Sequence, residues 1–500
     1  MNRKYHRIAA LLVASSVILS ACATAPGTLP DGPQTAAQSA KPATVANSLA
    51  TSGVAASPEV TRSVYLPLTL VRFPLQNIFG VGVSTFNASG SFEKLPPLRG
   101  AWTRHSGLAW SAVEPTEGAR NWAAIAGFEQ ELINASNEGI TPLIIVNSTP
   151  IWAQKVAGSF CGPVAPAKYG AFASFMRDLV TRYSVAPYNV KYWEIGNEPD
   201  VNTGDVAGNS GFGCWGDDTD AYYGGGGYAN ALKAIYPSIK AADPTTQLLI
   251  GGLLMDSPND NCPTNKCPAR FFEGILRGGG GAAFDGVNFH GYDDYDAENG
   301  TVGKYKSDNW KGSWSTSGPS FVLKLQFLRQ KLSAYGVTGK YFINSETALV
   351  CRYRGALASR CQAADFETTK AYYVPLSYAY AIREGLRANI WYDLKSGWND
   401  SDLFDATGNV VPAYNAIKLA RTKLQDAVFV REFTPVTGVR AFEFTRGNVK
   451  LWIMSSVDGA SHNVALTPTP NSIQDSLGNV ITPASSVAVT LNPLYVEWNP

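Results

Sequence analysis

Two short apolar runs in this chain end in a glutamate. One is Tyr192-Trp193-Glu194-Ile195-Gly196-Asn197-Glu198-Pro199; the other is Tyr341-Phe342-Ile343-Asn344-Ser345-Glu346. A carboxyl group at the end of a buried strand is partly stripped of water. That raises its pKa and suits it to give up a proton near neutral pH. A second carboxylate facing the first would supply a nucleophile or a base. Such a pair is equipped for displacement at an acetal carbon, and a separation of about 5–5.5 Å lets one carboxylate bond to that carbon. Other polar residues end apolar runs: Arg104 in Trp102-Thr103-Arg104, and His290 and Tyr292 in Phe289-His290-Gly291-Tyr292. A buried Arg104 would hold Glu346 ionised by charge pairing.

For these groups to meet, their strands must lie side by side with their ends on one rim. From about residue 75 to 425, short apolar strands alternate with helical patterns. The strand candidates are Phe79–Val83, Gly100–Arg104, Pro142–Asn147, Val190–Ile195, Leu248–Gly252, Gly286–His290, Tyr341–Asn344 and Ala388–Tyr392. Between them, apolar residues fall at helical spacing, as in Phe172, Phe175, Leu179 and Tyr183, or Phe321, Leu325 and Leu328. Strands apolar on both faces belong in a parallel sheet covered by helices. The alternation predicts an α/β fold, a (β/α)8 TIM barrel over residues 63–425, with strand ends forming the site. A doubly wound open sheet is the competing architecture, but no GxGxxG follows the first strand. The glycine runs at 224–227 and 278–281 lack a P-loop lysine and read as flexible loops. Residues 426–500 carry short alternating runs separated by turn residues, which predicts a small antiparallel β-sandwich. The stretch Thr61 to Phe73 also alternates and is expected to add a strand to it.

Asn197-Glu198-Pro199, at the end of the fourth predicted strand, resembles the Asn-Glu-Pro signature of clan A glycoside hydrolases, including families 5 and 39. The resemblance implies that Glu198 is the acid/base and that Asn197 contacts the sugar 2-hydroxyl. It implies that Glu346, ending the seventh predicted strand, is the nucleophile. His290-Gly291-Tyr292 is similar to the clan's sixth-strand His-x-Tyr, whose tyrosine bonds the nucleophile. Trp391 in the eighth strand resembles the sugar platform, with a packed core tryptophan as its alternative. Asn147 and Trp152, after the third strand, are expected to line the cleft. Trp110-Ser111-Ala112-Val113-Glu114-Pro115 looks like the second-strand loop of families 5 and 39. The run from Trp391 to Asp405, then Pro412-Ala413-Tyr414, looks like their eighth strand and final helix. Gly196 stands where family 39 often has Trp, and Ser345-Glu346-Thr347 lacks its Glu-Trp.

The implied reaction is retaining hydrolysis of a β-linked glycan, needing no metal or organic cofactor. The loop aromatics Trp215, Tyr222, Tyr223, Tyr295, Trp310 and Trp314 favour an endo-acting cleft. An exo-acting β-xylosidase-like pocket, a catalytically inactive glycan-binding lipoprotein and transglycosylation remain as alternatives.

Composition fits an envelope location. Charged residues are only 16% of the chain and the net charge is +1, so no electrostatic footprint for nucleic acid exists. Arg3, Lys4 and Arg7 precede an apolar stretch, Ile8 to Leu19, too short for a spanning helix. Leu19-Ser20-Ala21-Cys22 resembles a bacterial lipobox, which implies residues 1–22 as a signal peptide and acylation of Cys22. Residues 23–62, nearly all small and uncharged, are expected to form a disordered tether. The chain would then sit at the cell envelope on a lipid anchor, at the outer membrane if the source is Gram-negative, as a monomer. Seven cysteines less Cys22 leave six, which suits disulfides in an oxidising compartment. Spacing favours Cys262–Cys267, Cys351–Cys361 and Cys161–Cys214. Four histidines and no Cys-x-x-Cys argue against a metal site.

Overall fold

The structure, a computed structural model, describes residues 77–83, 85, 101–204, 212–256, 267–296, 302–307, 310, 312–313, 318–353, 355–362 and 364–499. The signal segment with Cys22, the tether, the Thr61 to Phe73 run, Cys262 and Trp314 lie outside them. The barrel strands are β1 (Phe79–Val81), β2 (Trp102–Ala109), β3 (Thr141–Asn147), β4 (Tyr192–Asn197), β5 (Gln247–Gly252), β6 (Gly286–Tyr295), β7 (Tyr341–Val350) and β8 (Ala388–Trp391). Neighbours pair in the order β5-β4-β3-β2-β1-β8-β7-β6, and β5 also pairs with β6, so the sheet closes on itself. Every pairing around this ring is parallel. The seam joins β1 to β8, with Phe79 opposite Asn389, Gly80 opposite Ile390 and Val81 opposite Trp391. This is the expected (β/α)8 barrel.

Strand alternation divides the side chains between two cores. Trp102, Leu143, Tyr192, Leu249, Tyr341, Ile343, Ala388 and Ile390 form one cluster inside the barrel. Their strand neighbours pack outward on the helices, in the larger cluster. Each such buried side chain contributes about 1.5–3 kcal/mol. Helix Tyr169–Tyr183 shows the logic: Phe172, Phe175, Leu179 and Tyr183 are buried at the spacing that put them on one face.

Two expectations need correction. The glycines at 224–227 are not a flexible loop. Gly224 takes a φ of 84° and Gly225 opens helix Gly225–Ala242. A Cβ on Gly225 would stand 2.1 Å from the carbonyl oxygen of Phe271, so the glycine permits close packing on helix Arg270–Arg277. Likewise Gly280 and Gly281 are buried in a short 3-10 helix, Gly280–Ala282. Second, β6 and β7 run on to Tyr295 and Val350, well past their expected ends. They keep pairing above the barrel, from His290 opposite Glu346 to Asp294 opposite Val350. A strand Tyr305–Ser307 adds antiparallel to the tip of β6.

Beyond the barrel, Val428–Phe433, Val439–Arg446, Val449–Ser456, Leu494–Trp498, Ser472–Asp475 and Val480–Ile481 form a six-stranded antiparallel sheet. His462–Ala465 pairs with Ser486–Val489 beside it. Strands Ser472–Asp475 and Val480–Ile481 are additions to the expected set. One sheet face, with Ala441, Met454 and Val496, packs on Val464, Val487 and Val489. The other, with Phe442, Leu451 and Ile453, joins the barrel's outer core, where Phe442 meets Tyr380 of helix Ala364–Arg383 at 4.8 Å. Cys161 bonds Cys214 and Cys351 bonds Cys361. Cys267 is also disulfide-bonded. Among the described residues no helix is long and apolar enough to cross a membrane.

Candidate active site

Strand β4 stops because its backbone leaves the β region. Gly196 takes a φ of 72° and Glu198 a φ of 50°. The left-handed region is free to glycine but strained for glutamate, and such strain clusters at functional positions. The glycine that departs from the family 39 pattern is thus the residue that permits the turn. The backbone N–H of Glu198 donates to Gly252 at 3.0 Å, and the carboxyl is turned into the barrel mouth, 6% exposed.

Glu346 faces it from β7. One oxygen of Glu198, one of Glu346 and a ring nitrogen of His290 all lie within 4.8 Å of one another. Three side chains organise this cluster. The Tyr292 hydroxyl donates to Glu346 Oε2 and Arg104 Nη1 donates to Glu346 Oε1. His290 Nδ1 lies 2.7 Å from Glu198 Oε1 and 3.4 Å from Glu346 Oε2.

Arg104 is the hub. Besides Glu346, its Nη2 donates to Glu194 Oε1 and to Asn197 Oδ1, each at 2.6 Å, and its Nε to Glu194 Oε2 at 2.9 Å. Glu194 is fully buried and also accepts from Gly252 N–H at 2.7 Å and Asn288 at 2.9 Å. A planar guanidinium with fixed donors can bridge two carboxylates in this way; an ammonium cannot. Replacing Arg104 with methionine leaves two buried carboxylates without their counter-charge. The expected cost is about 3–5 kcal/mol, read as a lower midpoint in urea unfolding, with loss of activity on any substrate.

The two glutamates are in different electrical settings. Burial pushes the Glu198 carboxyl well above the usual range, and the charge of Glu346 pushes it further. Burial also raises Glu346, but by less, because the Arg104 guanidinium and the Tyr292 hydroxyl oppose the rise. At neutral pH the shared proton therefore sits on Glu198, and Glu346 keeps its charge. Tyr292 stays a donor, since burial and then Glu346 hold its pKa well above 10.0. Burial, then Arg104 and Lys324, keep His290 neutral. Glu198, His290 and Glu346 together are close enough to hold a cation. Arg104 and Tyr292 already occupy both oxygens of Glu346, however, and a metal there would face a guanidinium.

The structure thus brings Glu198, Glu346, Asn197, His290, Tyr292 and Arg104 together. Trp391 is not among them. It is wholly buried, donates through Nε1 to Ser401 O at 3.0 Å, and meets Tyr373 of the helical layer. Ile390 points into the barrel, so alternation turns Trp391 outward and the next residue inward. That next residue, Tyr392, meets Tyr292 and Trp398 edge-on at 6.2 and 5.6 Å. Trp152 packs edge-on against Trp110 at 5.4 Å and donates to Glu114 O at 3.0 Å. It braces the loop after β3. Asn147 ends β3 and accepts from Ser148 at 3.2 Å.

No protein-family model matches the chain, and no curated protein matches it. Its fold does match solved structures. A family 39 glycoside hydrolase from the gut symbiont Bacteroides cellulosilyticus WH2 superposes with a TM-score of 0.59 at 16% identity, over 84% of this chain and 80% of that one. A monomeric β-xylosidase from Caulobacter crescentus CB15 does so at 0.54 and 14%, over 85% and 96%. A family 30 endoxylanase from Clostridium papyrosolvens C71 follows at 0.53 and 12%, over 85% and 96%. At these identities the likeness is one of fold: the barrel is the one those glycoside hydrolases use.

Proposed function

We propose that the protein is a retaining β-glycoside hydrolase acting on an extracellular polysaccharide or oligosaccharide. The observation that carries the reading is the approach of Glu198 and Glu346 to within 4.8 Å, with a proton held on one and a charge on the other. So close an approach supports a covalent intermediate, since the carboxyls of an inverting pair stand farther apart to admit a water. Glu346 attacks the anomeric carbon. The glycosidic C–O bond breaks and its oxygen takes the proton of Glu198. Glu198, now a carboxylate beside His290, removes a proton from water. The hydroxide formed displaces Glu346, and the sugar leaves with its original configuration. Arg104 and Tyr292 hold the nucleophile oriented throughout; Asn197, braced by Arg104, stands where a ring hydroxyl would bind.

The solved structures of similar fold include a β-xylosidase and an endoxylanase, so xylosides and xylans are the first substrates to try. A cavity of about 370 Å³ borders Tyr292, the residue whose hydroxyl holds Glu346, and room of that size beside the pair favours endo over exo action. The Leu19–Cys22 motif supports a lipid anchor at the cell envelope as part of the same proposal. Proton NMR of the first product released from aryl β-glycosides and xylo-oligosaccharides tests the chemistry. A β-anomer appearing first is expected; an α-anomer would overturn double displacement.

A further inference from the structure

One wall of that cavity comes from a segment the chemistry above does not use. Strand β7 continues past Glu346 to Val350, and the next residue, Cys351, is bonded to Cys361. Inside the loop this closes, Arg352 and Tyr353 line the cavity. Three contacts fix them. The Cys351 N–H donates to Asn399 O at 2.9 Å. Arg352 Nε pairs with Asp294 Oδ1 of β6 at 2.9 Å. The Arg360 guanidinium stands 5.7 Å over the Tyr353 ring. Trp310 and Lys324 also line the cavity. Trp310 Nε1 donates to Met255 O at 2.7 Å, and Lys324 Nζ donates to Leu254 O at 2.6 Å. An ammonium has three N–H groups, so Lys324 retains donors for a ligand. Aromatic faces with a few donors and acceptors around them form the kind of site that holds a sugar ring by its C–H face and its hydroxyls.

The geometry points to the Cys351–Cys361 loop as the element that sets chain-length preference, by holding Arg352 and Tyr353 against a sugar unit next to the reacting one. This rests on the glycosidase reading and deepens it. The physical reason is preorganisation. A cross-link of this kind restricts the loop's conformations, so less ordering is left to occur when the sugar binds. The loop is anchored to the strand that carries Glu346, so its position is tied to the nucleophile.

The test compares wild type with Cys351→Ser/Cys361→Ser and with Arg352→Ala, whose side chain is exposed enough to change without harm to the fold. The KM for xylohexaose is expected to rise about tenfold in both. For the disulfide variant, kcat on 4-nitrophenyl β-xyloside should hold within about twofold. Proportional loss on both substrates would mark the bridge as merely structural and overturn the proposal, as would an unchanged KM in both variants. Calorimetry of xylo-, gluco- and manno-hexaoses on Glu346→Gln, with and without the disulfide, reads the same subsite without turnover. Tenfold weaker binding of any hexaose supports the loop's role; equal or undetectable binding of all three overturns it. Binding by a wild-type chain that cleaves none of these sugars would sink the catalytic reading and leave the loop's role standing.

Discussion

Replacing Glu346 with glutamine is expected to lower kcat on aryl β-glycosides on the order of 10⁴-fold, with the fold intact. Glutamine keeps the length and an oxygen for Tyr292 to donate to. It cannot form a glycosyl ester that water then opens. Arg104 keeps Glu194 as a counter-charge, so the fold survives a change that the chemistry does not. The sharper form of the experiment is Glu346→Gly with added azide. A small anion entering the vacated space attacks from the same side as the lost carboxylate, and the glycosyl azide product has inverted configuration. Activity of Glu346→Gln within tenfold of wild type, in a sample free of contaminating glycosidase, would remove the residue from the nucleophile's role.

The second large effect depends on the leaving group. In Glu198→Ala, alkyl β-glycosides should lose about 10²–10⁴-fold in kcat/KM, because their oxygen leaves poorly without a proton. Dinitrophenyl glycosides, whose leaving group needs no proton, should lose far less at this step. The pH profile gives an independent reading. Glu198 must be protonated for the first step, and its pKa is pushed up by burial and by Glu346. As pH rises through that value the proton is lost and kcat/KM falls, which makes the alkaline limb. Glu346 must be ionised, so protonating it makes the acid limb. Removing Glu198 should flatten the alkaline limb and leave the acid limb in place. An alkaline limb that persists in Glu198→Ala would assign the acid to another group.

The barrel was legible in the chain because its strands are apolar on both faces, a pattern that a parallel sheet wrapped in helices requires. The strand-end groups were legible for the same reason: Glu198, Glu346, Arg104 and His290 stand where apolar runs end. Glu194 was missed, although it anchors the hub. The signal was present, since Glu194 shares a strand face with Tyr192, and Tyr192 points into the barrel. The same alternation corrects Trp391, which the resemblance had put under the sugar: with Ile390 inside, Trp391 points out and Tyr392 in. Alternation has limits, because the register of β6 against β7 shifts between Phe289 and His290, and a bulge changes which residues face inward. The glycine runs misled because glycine serves packing as well as flexibility, and only the approach of a neighbouring helix decides between the two.

The seam between β1 and β8 constrains the order in which the chain can assemble. β1 has three residues and pairs with β2 where Gly80 meets Trp102, with one further bridge from Val83 to His105 just past its end. Its main partner, β8, lies near the far end of the barrel sequence. On synthesis, the first stave therefore waits with one edge bare until the last has emerged. Closing a ring through contacts so distant along the chain is slow. Until then the nascent protein carries two open sheet edges that a chaperone, or another unfinished chain, can recognise.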